Sequence, residues 1–162
     1  MRNGSRTIAI ARILTGVVFV FFGVWKSFWP AFAYSHMGQA ITQYVQHDAV
    51  GLYRGFLAGV VAPHPVFFGY VVGIGELLIG ISLLIGFLVR PASLFGMLHM
   101  FSLVLATWRA PAPAAPWRYL ANQLEHIPLL LLFAIFYATR AGEKWGLDAR
   151  SRAARHRAAA AD

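Results

Sequence analysis

The most informative absence in this chain is cysteine, which occurs nowhere in its 162 residues. Without a thiol, the chain has no disulfide, no cysteine nucleophile, no cysteine-ligated iron–sulfur cluster and no thiolate-ligated metal site. The same absence removes the usual evidence for a reducing or an oxidising compartment. Any redox chemistry in which this chain takes part must therefore use other side chains or a bound group.

Charge is the second scarcity, since only 12% of the residues are charged and 59% are hydrophobic. Soluble domains carry about 25% charged residues, so this composition excludes an ordinary soluble domain and indicates an integral membrane protein. The length is that of one domain. The Ala/Arg-rich tail is expected to be a solvated or lipid-facing basic extension that anionic headgroups attract. A nucleic-acid partner is not expected, because no soluble domain presents this tail.

The apolar segments predict four transmembrane helices, because a spanning helix needs about 20 mostly apolar residues. The spans cover residues 8–28, 66–89, 91–108 and 119–139. The fourth is extended back to Tyr119 because its uninterrupted apolar run is too short to cross alone. The predicted fold is an all-α bundle of four transmembrane helices, formed by residues 1–148 and followed by a basic tail, residues 149–162.

The distribution of basic residues predicts that both termini lie inside, because most Lys and Arg then fall in cytoplasmic segments. The outer loops retain only Arg54, Arg109 and Arg118. The long first outer loop has a helical period and predicts two short interfacial helices; a mobile loop is the alternative. Ala31-Phe32-Ala33 resembles a signal-peptidase site, but the apolar stretch before it is too long, so a retained first helix is favoured.

Glu76 is the only charged residue in the span 69–88. A carboxylate at bilayer depth costs at least about 2.5–3.5 kcal/mol, so it requires a proton or a partner. Measured from Arg90, helix rise places Glu76 about 21 Å up its span, level with Glu125 and His126 in the fourth span. The predicted outer polar cluster contains Lys26, Glu76, Asn122, Glu125 and His126, with Trp25 as a wall. Glycines in the second span, among them Gly73 and Gly75, are expected to let another helix approach closely.

Several of these residues also have a purely structural interpretation. One alternative is that Glu76 is a structural hydrogen-bonding residue that fixes helix register, and Lys26 near an interface commonly snorkels. His99 is estimated about 14 Å up its span, where a packed histidine is more common than a ligand. Arg12, about 6 Å up the first span, lies within reach of the inner headgroups. The two membrane histidines, His99 and His126, differ in height by about 7 Å, which disfavours a bis-histidine haem.

Three motifs carry a resemblance to a known family: Arg12-Ile-Leu-Thr-Gly16, Gly75-Glu76-Leu-Leu-Ile-Gly80 and Ala141-Gly-Glu-Lys-Trp-Gly-Leu-Asp148. Over most of its length, the chain resembles the DoxX/DoxD family of small four-helix membrane proteins. Its long outer loop is more similar to the DoxD-like branch, which is associated with thiosulfate:quinone oxidoreductase.

This resemblance implies a non-covalently bound quinone and a location in the cytoplasmic membrane of a bacterium or an archaeon. It implies that Glu76, Glu125 and His126 act as a catalytic proton relay, and that the quinone is bound by Lys26, Trp25, Asn122, His99 and Arg12. Arg54, Arg109 and Arg118 would attract an anion such as thiosulfate. No metal, haem or iron–sulfur cluster is expected. Since the sequence has no recognisable electron carrier, a second redox subunit is expected, and a homo-oligomer remains open.

Two other classes of function are compatible with the sequence. The chain could be a non-catalytic anchor that recruits a redox or oxidative-stress enzyme through its outer loop or its tail. A small transporter would require an internal repeat with discontinuous helices, and the two halves of the sequence show no convincing repeat.

Overall fold

The computed structural model describes residues 2–108 and 115–149. Within these residues the regular structure is helical and contains no strand. The α-helices, in chain order, are α1 (Arg2–Phe28), α2 (Met37–Gln43), α3 (Gly51–Phe56), α4 (Pro65–Ile85), α5 (Val89–Ala106), α6 (Pro116–Ala121) and α7 (Ile127–Ala138). By length and composition, three of the described helices, α1 from Ser5 onward, α4 and α5, are able to cross a membrane.

The long connection between α1 and α4 is folded, in agreement with the two helical stretches predicted there. Helix α2 is flanked by the π-helical turns Phe32–His36 and Tyr44–Asp48, and α3 continues into the π-helical segment Leu57–Val61. These helices bury a small apolar cluster against the end of α5, made of Ile41, Ala49, Leu57, Val61 and Ala106. The connection is therefore packed onto the bundle by its own hydrophobic residues.

The fourth predicted span is not one continuous helix. Helix α6 ends at Ala121, a turn follows, and α7 begins at Ile127 and has 12 residues. Pro128 lies in the first turn of α7, where its missing N–H is tolerated. A proline further inside a helix would remove a backbone hydrogen bond and clash with the preceding turn. The prediction of a single helix over residues 119–139 is therefore wrong, and the chain restarts its helix at the proline.

The bundle is built from two helix pairs, with α1 packed along α4 and α5 packed along α7. Gly73 shows how close the first pair is, since a Cβ atom there would lie 3.0 Å from the backbone of Lys26. Gly75 was expected to allow another helix to approach closely, but no described helix does so there, because an added Cβ atom would meet no atom within 4 Å. The main core joins the two pairs through buried Phe19, Leu83, Phe133 and Phe136.

At one end of the bundle, which we call the turn end, residues 86–88 reverse the chain between α4 and α5. Gly86 and Leu88 both adopt positive φ angles, 69° and 54°. The Asp148 carboxylate accepts hydrogen bonds from the backbone N–H groups of Leu88 (2.9 Å) and Val89 (3.1 Å). The Asp148 N–H in turn donates to the Gly86 carbonyl at 2.9 Å. Asp148 thus fastens the C-terminal segment to the turn and caps the start of α5.

The loss of this cap can be measured. Asp148→Ala is expected to lower the free energy of unfolding by about 0.5–2 kcal/mol, the usual range for removing a side chain that caps a helix N-terminus. Thermal unfolding in detergent would measure it. Asp48→Ala is the control, because the side-chain hydrogen bond that Asp48 accepts, from Gln43, is exposed and caps no helix. Equal unfolding temperatures for the two variants would contradict the capping role.

Candidate functional site

Three ionisable side chains from three different helices meet inside the bundle. The Glu76 carboxylate, on α4, accepts a hydrogen bond from the Lys26 ammonium of α1 through Oε1, at 2.6 Å. The same oxygen lies 2.9 Å from Nε2 of His99, on α5. The Glu76 side chain is only 7% exposed, and those of Lys26 and His99 are 19% and 18% exposed. We call Lys26, Glu76 and His99 the buried triad.

Helix packing explains why these side chains reach each other. Gly73 allows the backbone of α1 to approach α4 at Lys26, and Glu76 follows Gly73 by about one helical turn, on the same side of α4. The ammonium of Lys26 is flanked by the rings of Phe22 and Phe32, whose centroids lie 6.0 and 5.3 Å away. A cation near aromatic faces is stabilised by their quadrupoles. The ion pair and these rings together hold Lys26 at the buried carboxylate rather than directing it to the lipid headgroups.

A first cavity, which we call the inner cavity, has a volume of about 460 Å³ and is lined by α1, α4, α5 and the start of α7. Its polar lining consists of Lys26, Glu76, Glu125 and His126. Among the described residues, Glu76 Oε2 and His126 Nδ1 are buried atoms without a hydrogen-bond partner. Such unpartnered buried atoms are costly and commonly mark the position of a water molecule or a ligand.

A second cavity, which we call the lateral groove, has a volume of about 620 Å³ and lies between α4 and α5. Glu76 and His99 lie toward one end of its lining, and the other lining residues, nearly all apolar, extend to Phe87 and Leu88 at the turn end. Glu76 therefore lines both cavities. Glu76 thus lies where two largely apolar cavities meet, and the inner cavity brings Lys26, Glu125 and His126 close to it. Apolar pockets with a few convergent polar groups are typical of small-molecule sites.

The turn before α7 differs from the sequence prediction. Asn122, expected in the cluster, is exposed, whereas Gln123 is fully buried. Gln123 Nε2 donates to the backbone carbonyl of Thr107 at 2.9 Å, and so ties the turn to the end of α5. A continuous helix over residues 119–139 would place Asn122 and His126, four residues apart, on one face. Because the helix is interrupted, that face does not exist.

Arg12 and Trp25, expected to contact a cofactor, lie elsewhere. Arg12 is fully buried at the turn end, where its guanidinium donates to the carbonyls of Leu83, Trp145 (3.2 Å) and Lys144 (3.4 Å). It neither snorkels to headgroups nor joins the buried triad. Trp25 is 38% exposed and packs against Phe32 and His36, outside the lining of the inner cavity.

The two described arginines that were expected to attract an anion, Arg54 and Arg118, make separate contacts. Arg54 donates to the carbonyl of Ala49 at 2.9 Å. Arg118 is exposed, and its guanidinium lies 5.6 Å from the centre of the Trp117 ring. Arg109 lies outside the described residues. These contacts leave the expected anion site a prediction.

The sequence of this chain matches the model of one protein family. A family model described as DoxX matches residues 7–109. The chain belongs to the DoxX family. The matched region of this DoxX protein contains all of the buried triad but ends before Glu125 and His126. No curated protein and no solved structure matches the chain.

Proposed function

We propose that this DoxX-family protein is the membrane subunit of a quinone-linked oxidoreductase, with the quinone head group at the buried triad. One observation carries the proposal: hydrogen-bonding groups from three helices converge on one buried carboxylate between two cavities. An ionisable residue at membrane depth is a functional-site candidate, and here it has two named partners.

The residues present fit a quinone. Its two carbonyl oxygens accept hydrogen bonds, and Lys26, His99 and His126 are donors within the linings of the two cavities. The unpartnered His126 Nδ1 and Glu76 Oε2 leave further polar capacity for a head group or a bridging water. A bound quinone would supply the capacity to accept two electrons and two protons.

The side chains of this protein would hold and move those protons. Glu76, between Lys26 and His99, is placed to exchange a proton within the buried triad. Glu125 and His126 line the same inner cavity, and carboxyl and imidazole groups are suited to general acid–base transfer. Lys26 offsets the charge of Glu76 and lowers the cost of keeping a carboxylate away from water.

We further propose four membrane crossings with both termini in the cytoplasm, the fourth being made by α6, the turn and α7 together. The contacts at the turn end support this topology, because Arg12, in the N-terminal half of α1, and the segment after α7 meet there. The excess of Lys and Arg on that side supports a cytoplasmic position for both termini, and the DoxX/DoxD resemblance supports the cytoplasmic membrane of a bacterium or an archaeon. Electrons would arrive from a partner subunit, and the DoxD-like resemblance makes thiosulfate the donor to test first.

The function is tested by quinone reduction in native membranes, with thiosulfate as donor. Glu76→Gln and His126→Ala are each expected to lower the rate at least about 100-fold, the usual contribution of a positioned acid–base group. Asn122→Ala is the matched control, because Asn122 is exposed and does not line the inner cavity. Unchanged rates in both site variants, together with a co-purifying redox enzyme, would contradict the proposal and indicate a membrane anchor.

A further inference from the structure

The lateral groove has one polar end and a long apolar remainder. Beyond Glu76 and His99, the polar lining is limited to Ser82, whose hydroxyl donates to the Phe87 carbonyl. The groove opens to the side of the bundle, since the lining residues Leu78 and Phe95 are 62% and 63% exposed. In a membrane, that side faces acyl chains.

Gly75 is the feature that keeps this groove open next to Glu76. Gly73 and Gly80, on the same helix, lie where a Cβ atom would collide with the α1 backbone. Gly75 lines the lateral groove, and a Cβ atom there would enter open space. Glycine inside a helix is destabilising relative to alanine, and at Gly75 no neighbouring backbone requires it. The space that it leaves is part of the groove.

We propose that the lateral groove binds the apolar chain of the quinone, which enters sideways from the bilayer between α4 and α5, past Gly75. The inference rests on the proposed function for the identity of the head group. The inner cavity, which shares Glu76 with the groove, is then free for protons and water. The head group and the proton supply thus reach the same carboxylate through two different cavities.

The test uses Gly75→Leu, whose side chain would occupy the groove from a position where the Cβ meets no atom within 4 Å, and Gly59→Leu as control. Gly59 also has no atom within 4 Å of an added Cβ, but it lies in the connection between α1 and α4 and not in the groove. The probe is a benzoquinone with a ten-carbon chain that carries a photoactivatable diazirine. It is applied to the full-length protein in lipid nanodiscs, and its adducts are mapped by mass spectrometry.

In the wild-type protein and in Gly59→Leu, adducts are expected on groove residues such as Ile79, Ser82 and Phe95. Excess unlabelled chain-bearing quinone should displace the probe, and the same head group without a chain should displace it at least ten-fold less effectively. Gly75→Leu should lose at least nine-tenths of the groove adducts while its unfolding temperature stays equal or rises. Undiminished groove adducts in Gly75→Leu, or adducts spread over the outer face of α1, would overturn the inference.

A second probe separates this inference from the proposed function. It is a fatty acid with the same diazirine-bearing chain and no quinone head. If it labels the groove as strongly as the first probe and is not displaced by quinone, the groove binds chains but the quinone function fails. If quinone reduction proceeds normally in Gly75→Leu and still requires Glu76, the function stands and the groove assignment fails.

Discussion

Replacing Glu76 with leucine is expected to lower the free energy of unfolding by about 3 kcal/mol, because it leaves a largely buried Lys26 ammonium without its counter-ion. The ion pair contact is 2.6 Å and the carboxylate is nearly inaccessible, so solvent does little to screen the loss. The measurement is thermal or denaturant-induced unfolding in detergent. Lys26→Met alone should also destabilise the protein, since it leaves the Glu76 charge with only His99.

The double variant Lys26→Met/Glu76→Leu distinguishes a coupled pair from two independent residues. Replacing both members of a buried pair with apolar groups is often neutral or even stabilising. The double variant should therefore recover most of the stability lost by Glu76→Leu alone, while losing quinone binding. Glu125→Leu is a control for removing an exposed carboxylate of the inner cavity. Strictly additive losses in the double variant would show that Lys26 and Glu76 do not depend on each other.

Replacing Arg12 with methionine is expected to be comparably damaging, at about 3 kcal/mol, because charged hydrogen bonds to several buried carbonyls are lost together. Its guanidinium joins α1 to the end of α4 and to the segment after α7. Besides the lower stability, backbone amides of residues 141–149 should exchange hydrogen faster. Hydrogen exchange followed by mass spectrometry would measure this local release.

Arg12→Lys should restore little, since an ammonium lacks the planar fork that reaches separate carbonyls at once. Arg6→Met is the matched control, because Arg6 lies on the same helix and is exposed. If exchange in residues 141–149 is the same in Arg12→Met and Arg6→Met, then Arg12 does not hold this segment.

The sequence predicted the meeting of Lys26 and Glu76 but placed Glu76 too high to meet His99. Its height estimate counted from Arg90, as if the turn residues were part of α4. The helix ends at Ile85, which puts Glu76 about 14 Å above its end. His99 lies about 15 Å above the start of α5 at Val89. The two residues are therefore level, and a correct position for the end of α4 would have paired them in advance.

Other features depended on tertiary contacts that no local pattern reveals. The burial of Arg12 requires carbonyls from Leu83 and Trp145, which are distant in sequence. The burial of Gln123 rather than Asn122 follows from the end of α5 at Thr107. The break before α7 was the exception, because Pro128 already indicated it. The need for a long fourth span led to the opposite prediction.

The shortness of α7 has a consequence for the surrounding lipid. Twelve residues rise only about 18 Å, whereas the hydrocarbon layer is about 30 Å thick. In a four-crossing arrangement, the bilayer beside this helix must thin, or headgroups and solvent must dip toward the turn that carries Glu125 and His126. Acyl-chain length would thus determine the hydration of this turn, and membrane thickness would affect the access of protons to Glu125 and His126.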